Sequence, residues 1–219
     1  MPRIALIHAT PLAIESINQA FARLWPDAHV TNLLDDSLAP DLAREGRLTD
    51  AMINRFITLA RYTRASGADA ILYTCSAFGP AIEAARAALD VPVLKPNEAM
   101  FDEALNAGNR IGLMATFGPS IPALRKELED LAEAREVKLS VRTEAVPAAL
   151  TALQAARTDD HDSLIADAAD TMTDCDVIVL GQFSMASAAP VIEARGGNRR
   201  VLTSPDSAVR RLKSLMPAH

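Results

Sequence analysis

Cys75 stands in the stretch Leu72-Tyr73-Thr74-Cys75-Ser76-Ala77-Phe78-Gly79-Pro80, between an apolar run and a group of small residues leading to a proline. A thiol at that address ends a strand and meets the start of a helix. The helix's free N–H groups and its positive end lower a thiol pKa from about 8.5 toward neutrality. Such a thiol can take and return a proton near pH 7. The competing reading is a small core residue, a common fate of a free cysteine. His8 ends the first apolar run. At that place an imidazole could orient Cys75, deprotonate it, or act as a second base. Ser76 suits a helix cap as well as a site hydroxyl.

The elements that must position these residues alternate. Apolar runs lie at Ile4–Ile7, Val30–Leu34, Ala70–Tyr73, Val91–Leu94, Ile111–Ala115, Val137–Val141, Val177–Leu180 and Val201–Leu202. Helical spacing fills the gaps: Ile14, Ile17, Phe21 and Leu24; Met52 and Phe56; Ile121, Leu124, Leu128 and Leu131; Val209, Leu212 and Leu215. Strand–helix alternation predicts parallel sheets with helices on both faces. The halves also match at an offset of 107 residues. "RIALIHAT" precedes "RIGLMATF", "VTNLL" precedes "VKLSV", and "ADAILYTCSAFG" precedes "CDVIVLGQFSMA" at that distance. "VLKPNEA" answers "VLTSPDSA" with one inserted residue. Four pairs in order predict a duplication: an α/β fold of two similar lobes, each a four-stranded parallel sheet flanked by helices and related by a pseudo-twofold.

A last helix is expected over 206–216. Ligands of open parallel sheets bind beyond the carboxyl ends of the strands. The strand ends His8-Ala9-Thr10, Thr74-Cys75-Ser76, Pro96-Asn97-Glu98, Ala115-Thr116-Phe117, Gly181-Gln182-Phe183-Ser184 and Ser204-Pro205-Asp206 are therefore the expected walls of one cleft. In this scheme Gln182 is the counterpart of Cys75.

Bulk properties narrow the function classes. Of 219 residues, 49% are hydrophobic and 23% charged, as in soluble globular proteins. A net charge of −6 and 4% aromatics give no basic or stacking surface for nucleic acid. No apolar run reaches the roughly 20 residues of a membrane span. The N-terminus "MPRIALIHAT" lacks the h-region of a signal peptide. A cytoplasmic protein with two free thiols is expected. No Cys/His group has the spacing of zinc ligands, so no metal is expected.

The duplicated lobes, "TCSAFGPAIEA" at 74–84 and "VIVLGQFSMASAAPVIEA" at 177–194 resemble the aspartate/glutamate racemase superfamily, which includes hydantoin racemases, maleate isomerases and arylmalonate decarboxylase. The resemblance spans nearly the whole chain and implies that the last helix packs back on the first lobe, so that the first lobe is expected over 1–98 plus 207–219 and the second over 99–206. It implies cofactor-independent chemistry beside a carboxylate, with one cysteine from each lobe. One thiolate removes the α-proton and the other thiol returns one. Here the first cysteine is Cys75 and the second position is Gln182. Cys175 lies seven residues earlier, before its strand begins, and reads as a buried structural residue.

Gln182 is neither acid nor base near pH 7, but its amide can bind a carboxylate. The same comparison makes Thr10, Ser76, Ala77, Asn97, Thr116, Gln182 and Ser184 candidate substrate contacts, with Cys75 and His8 as candidate catalytic groups. Donors at 76 and 77 suit the charge that develops on an enediolate. Phe117 offers no hydroxyl where relatives can carry a tyrosine. Glu98 and Asp206 suit helix starts equally well. His29, His161, "ARTDDHD" and "RKELEDLAEARE" read as solvated surface.

Three functions fit. The first is an isomerase or racemase acting on a small acid or amino acid, with Cys75 as acid/base. The second is a single-cysteine lyase that decarboxylates malonate-type acids, although arylmalonate decarboxylase retains the cysteine of the other lobe. The third is a non-catalytic binder of small carboxylates. A small carboxylate is the expected partner, with no nucleic acid or membrane. A homo-oligomer, a dimer, is expected because relatives often form one.

Overall fold

The computed structural model describes residues 1–197 and 199–216. By internal contacts the chain divides into Met1–Pro96 with the residues from Ala208 on, and Asn97–Ser207. Each unit holds one four-stranded parallel sheet. Among the described residues no helix is long and apolar enough to cross a membrane.

In the first unit the strands are β1 (Arg3–His8), β2 (His29–Leu34), β3 (Ala70–Tyr73) and β4 (Val93–Leu94), in the order β2-β1-β3-β4. Helices α1 (Ile14–Leu24), α2 (Leu38–Glu45), α3 (Asp50–Ala65) and α4 (Gly79–Ala87) connect them. The central strands are buried on both faces, so their sequences are unbroken apolar runs. On one face Ala5, Ile7, Ile71 and Tyr73 pack with Phe56 of α3 and with Phe78, Ala81 and Ile82. The Phe56 ring stacks on Tyr73 at 4.9 Å between centroids and lies 4.8 Å from Phe78. Full burial of each ring stabilises by roughly 1.5–3 kcal/mol. Tyr73 and Phe78 bracket Cys75, so this stack holds both ends of the cysteine turn.

The second unit repeats the plan with β5 (Arg110–Ala115), β6 (Ser140–Ala145), β7 (Val177–Leu180) and β8 (Arg200–Thr203), in the order β6-β5-β7-β8. Its helices are α5 (Glu98–Ala107), α6 (Ile121–Ala134), α7 (Pro147–Gln154), α8 (Thr158–Asp170) and α9 (Ala189–Ala194). The final helix, α10 (Ser204–Leu215), begins in this unit, two residues earlier than the 206–216 pattern predicts. Its later residues group with the first unit, where Lys213 Nζ donates to the Leu24 carbonyl at 3.1 Å.

The repeat is visible in the bonds. Ile4 pairs with Ala70 as Ile111 pairs with Val177. The Arg3 N–H donates to Asp69 as the Arg110 N–H donates to Asp176. One expected strand is displaced. The apolar run 137–141 is not β6, which starts at Ser140. The offset from His29 to Ser140 is 111 residues, against 107 from Arg3 to Arg110. The cause is α6, which runs to Ala134 and closes through Glu136 in the left-handed region (φ 57°), with the Val137 N–H donating to the Ala132 carbonyl. Val137 and Leu139 are apolar because they pack on the core beneath the sheet. At β4, the run 91–94 shortens to its last two residues.

The turn after α7 closes in the same way. Ala156 has φ 56°, and the Arg157 N–H donates back to the Ala152 carbonyl. A Cβ is strained there and glycine is not. Ala156→Gly is expected to stabilise the protein by about 0.5–1 kcal/mol, despite the added freedom of the unfolded chain. A urea midpoint equal to or below that of the wild type would contradict this.

Candidate active site

In the first unit β1 and β3 end side by side. The Thr74 N–H donates to the Ile7 carbonyl at 3.1 Å and continues the ladder beyond β3. Cys75 follows in an extended conformation (φ −122°, ψ 119°) and is itself the N-cap of the 3-10 turn Ser76–Phe78 that leads into α4. Ser76 is therefore the first residue of the turn and not its cap. The Cys75 side chain is half-buried. Burial pushes its thiol pKa up, and a hydrogen bond from the Ala77 N–H pulls it down. The expected lowering toward neutrality is thus reversed. The turn supplies a donor to the sulfur, but loss of water costs the thiolate more.

His8 is fully buried. Its Nδ1 lies 2.8 Å from Thr74 Oγ1 and its Nε2 lies 2.9 Å from Asn32 Oδ1. With Asn32 Oδ1 as acceptor, Nε2 carries the proton, and Nδ1 accepts from the Thr74 hydroxyl. Asn32 in turn donates to Asn18 at 3.3 Å. Burial holds the His8 pKa below its ordinary value, and the Asn32 bond opposes that shift. Both ring nitrogens are committed, so the ring in this arrangement has no lone pair or proton to offer a substrate. The ring is thereby bonded to Thr74, the residue that precedes Cys75. Thr10, also a candidate, caps its own turn, accepting weakly from the Leu12 N–H at 3.5 Å.

In the second unit β5 and β7 end in the same way, with the Gly181 N–H donating to the Met114 carbonyl at 2.9 Å. Glycine is required at 181 by close approach: a Cβ there would come within 2.9 Å of Leu124 Cδ1 and 3.1 Å of the Met114 carbonyl oxygen. Gln182 then takes the backbone role that Cys75 has in the first unit, an extended N-cap (φ −133°, ψ 142°) of a 3-10 helix, Phe183–Ala188. Its Oε1 accepts from Thr116 N–H at 2.7 Å, from the Thr116 hydroxyl at 2.7 Å and from Phe117 N–H at 3.2 Å. Thr116 is fully buried, while Phe117 is 50% exposed.

The structure thus joins Gln182 to Thr116 and His8 to the Cys75 turn. Asn97 is bonded to Ser204, the first residue of α10. It is buried, its Oδ1 accepts from the Ser204 hydroxyl at 2.6 Å, and its Nδ2 has no partner among the described residues. Ser184 is half-buried on the 3-10 helix after Gln182. Glu98 and Asp206 occupy the first turns of α5 and α10.

Cys175 lies before β7, 5% exposed, against Met172 and Ile178; burial pushes its thiol up as well. His161 corrects the surface reading. It is fully buried, with Nδ1 at 2.7 Å from Asp162 Oδ1, and Ser187 donates to the same oxygen at 2.7 Å. Its spacing of four from Ile165 and again to Ala169, both buried, is the signal that places it on the inner face of α8. Asn32 and Asn18 had no comparable signal, because each is a polar residue on a partly exposed element.

Two parallel sheets built on one repeated plan, with the same turn after β3 and after β7, define a duplicated α/β protein of the racemase fold. The chain belongs to the Asp/Glu/Hydantoin racemase family, whose model matches residues 5–212. Solved structures share the fold. An aspartate racemase homologue from Pyrococcus horikoshii superposes with a TM-score of 0.77 at 15% identity, over 98% of this chain and 99% of that one. A glutamate racemase isoform from Bacillus anthracis gives 0.72 at 18%, over 97% and 80%. Unliganded arylmalonate decarboxylase gives 0.66 at 20%, over 98% and 93%. At these identities the likeness is one of fold. No curated protein matches the chain.

Proposed function

We propose that the protein is a cofactor-independent isomerase acting at the carbon next to the carboxylate of a small acid, with Cys75 as its acid/base. The observation that supports this best is the cysteine turn. A thiol sits at the end of a central strand as the N-cap of a 3-10 turn that leads into α4. The Cys75 thiolate takes the α-proton, the C–H electron pair passes into the enediolate, and a water in place of the second thiol gives a proton to carbon while the Cys75 thiol returns its proton to the hydroxide left behind. His8 and Thr74 hold the turn. Ser76 and Ala77 contribute donors, Thr116, Ser184, Thr10 and Asn97 are the proposed substrate contacts, and Gln182 lines the same place beside Thr116.

A second reading, decarboxylation of a malonate-type acid, is favoured by one observation. The counterpart of Cys75 is a glutamine, and burial keeps the Cys75 thiol protonated. A protonated thiol suits delivery of a proton to the enediolate left by loss of CO₂. Incubation with candidate acids in D₂O separates the readings. The isomerase exchanges the α-proton for deuterium with retention of the carboxylate. The lyase releases CO₂ and introduces one deuterium. Absence of both across chiral 2-substituted acids and malonates would defeat the enzymatic reading.

A further inference from the structure

The environment of Gln182 Oε1 is unusual for an amide oxygen. Two backbone N–H groups and one hydroxyl converge on it. Backbone N–H groups can only donate, so the atom they meet is the amide oxygen, and the orientation of the amide is set by chemistry. An amide oxygen and a carboxylate oxygen each have two lone pairs, but the carboxylate carries negative charge, and hydrogen bonds to it are roughly twice as strong. Three donors on one oxygen are therefore better matched to a carboxylate oxygen than to the group that fills the place. Gln182 is half-buried and Phe117 half-exposed, so this group of donors lies at the margin of the unit. The turn that carries Gln182 is held independently of its side chain, by the ladder bond of Gly181 and by Ser187 bound to Asp162 on α8. The side chain can leave without the turn unwinding.

We propose that Gln182 is an internal ligand: its amide oxygen keeps the place that one oxygen of a substrate carboxylate takes, and the acid binds to Thr116 and Phe117 by displacing it. The inference rests on the reading of the substrate as a small carboxylic acid. Residue 182 then sets which acids enter, because each must outcompete a tethered amide.

Formate is the probe, followed through the backbone amide signals of Thr116 and Phe117 by NMR. In the wild type these signals should shift as formate is added. Gln182→Ala, with no internal ligand to displace, should bind formate about tenfold more tightly, the effect of roughly one hydrogen bond. Gln182→Glu, whose charged oxygen suits the donors better, should bind it about tenfold more weakly. Loss of formate binding in Gln182→Ala would overturn the proposal, because the amide itself would then be the binding group. Unmoved Thr116 and Phe117 signals at saturating formate, or no formate binding in either protein, would overturn it too. The wild-type titration decides alone if a variant melts early. Formate has no α-carbon, so the result is independent of Cys75, and failure of the exchange assay would leave this test standing.

Discussion

Cys75→Ser is expected to reduce α-proton exchange by about 10²–10⁴-fold, the usual contribution of a positioned acid/base. Serine fits the same turn and can keep the Ala77 contact, but its hydroxyl is far too weak an acid to form the basic species near pH 7. The pH profile sharpens the test. Burial raises the Cys75 pKa above its ordinary value, so the thiolate fraction at neutrality is small and grows with pH. A reaction that begins with thiolate should therefore accelerate into the alkaline range. A reaction limited by proton delivery from the thiol should be flat and then decline. Cys175→Ser is the control. Exchange should persist, with stability reduced by about 1–3 kcal/mol for a hydroxyl placed in an apolar setting. Full exchange activity in Cys75→Ser would make the thiol a packing residue and end the catalytic assignment.

His8→Leu should cost about 2–3 kcal/mol of stability at pH 7.5, since it removes a buried ring that satisfies Thr74 and Asn32. The cost should shrink on acidification. The His8 pKa is depressed in the folded state, so the unfolded chain binds the proton more readily. The stability that His8 contributes is complete above the ordinary value of 6.5 and is lost as pH falls through the lower folded value. Leucine has no such dependence. Urea melts at pH 7.5 and 5.5 should show the gap between the two proteins closing. A gap of constant size would mean that His8 is not held neutral by burial.

The repeat made most of the fold legible. Apolar runs buried on both faces cannot be mistaken when each recurs 107 residues later, and β1, β3, β5 and β7 lie where those runs lie. The edge strand β6 was misplaced because edge strands carry a weak pattern. Its sequence, Ser140-Val141-Arg142-Thr143-Glu144-Ala145, has four polar residues of six, while the more apolar Val137 and Leu139 belong to the helix-end turn. For the site, position was readable and environment was not. That Cys75 and Gln182 begin equivalent turns follows from spacing alone. The direction of the Cys75 pKa depends on how much solvent reaches it, which spacing does not contain. The partners of His8 required the register of β2 against β1, where Leu6 pairs with Asn32 and brings that amide beside the imidazole.

The displacement of β6 has a consequence for rebuilding either half from the other. The halves differ in length between their first and second strands, and regain step by their third. The surplus in α6 is balanced by a shorter α8, 13 residues against the 16 of α3. Length has been exchanged between helices, while the β1, β3, β5 and β7 ends kept a common count. A chimera that transplants the turn after β3 onto β7 can therefore use one numbering, residue for residue. One that transplants an edge strand must carry its preceding helix with it. Divergence between the halves has so far been absorbed by the cylinders around the sheets, leaving the strand ends free to change in kind without changing in place.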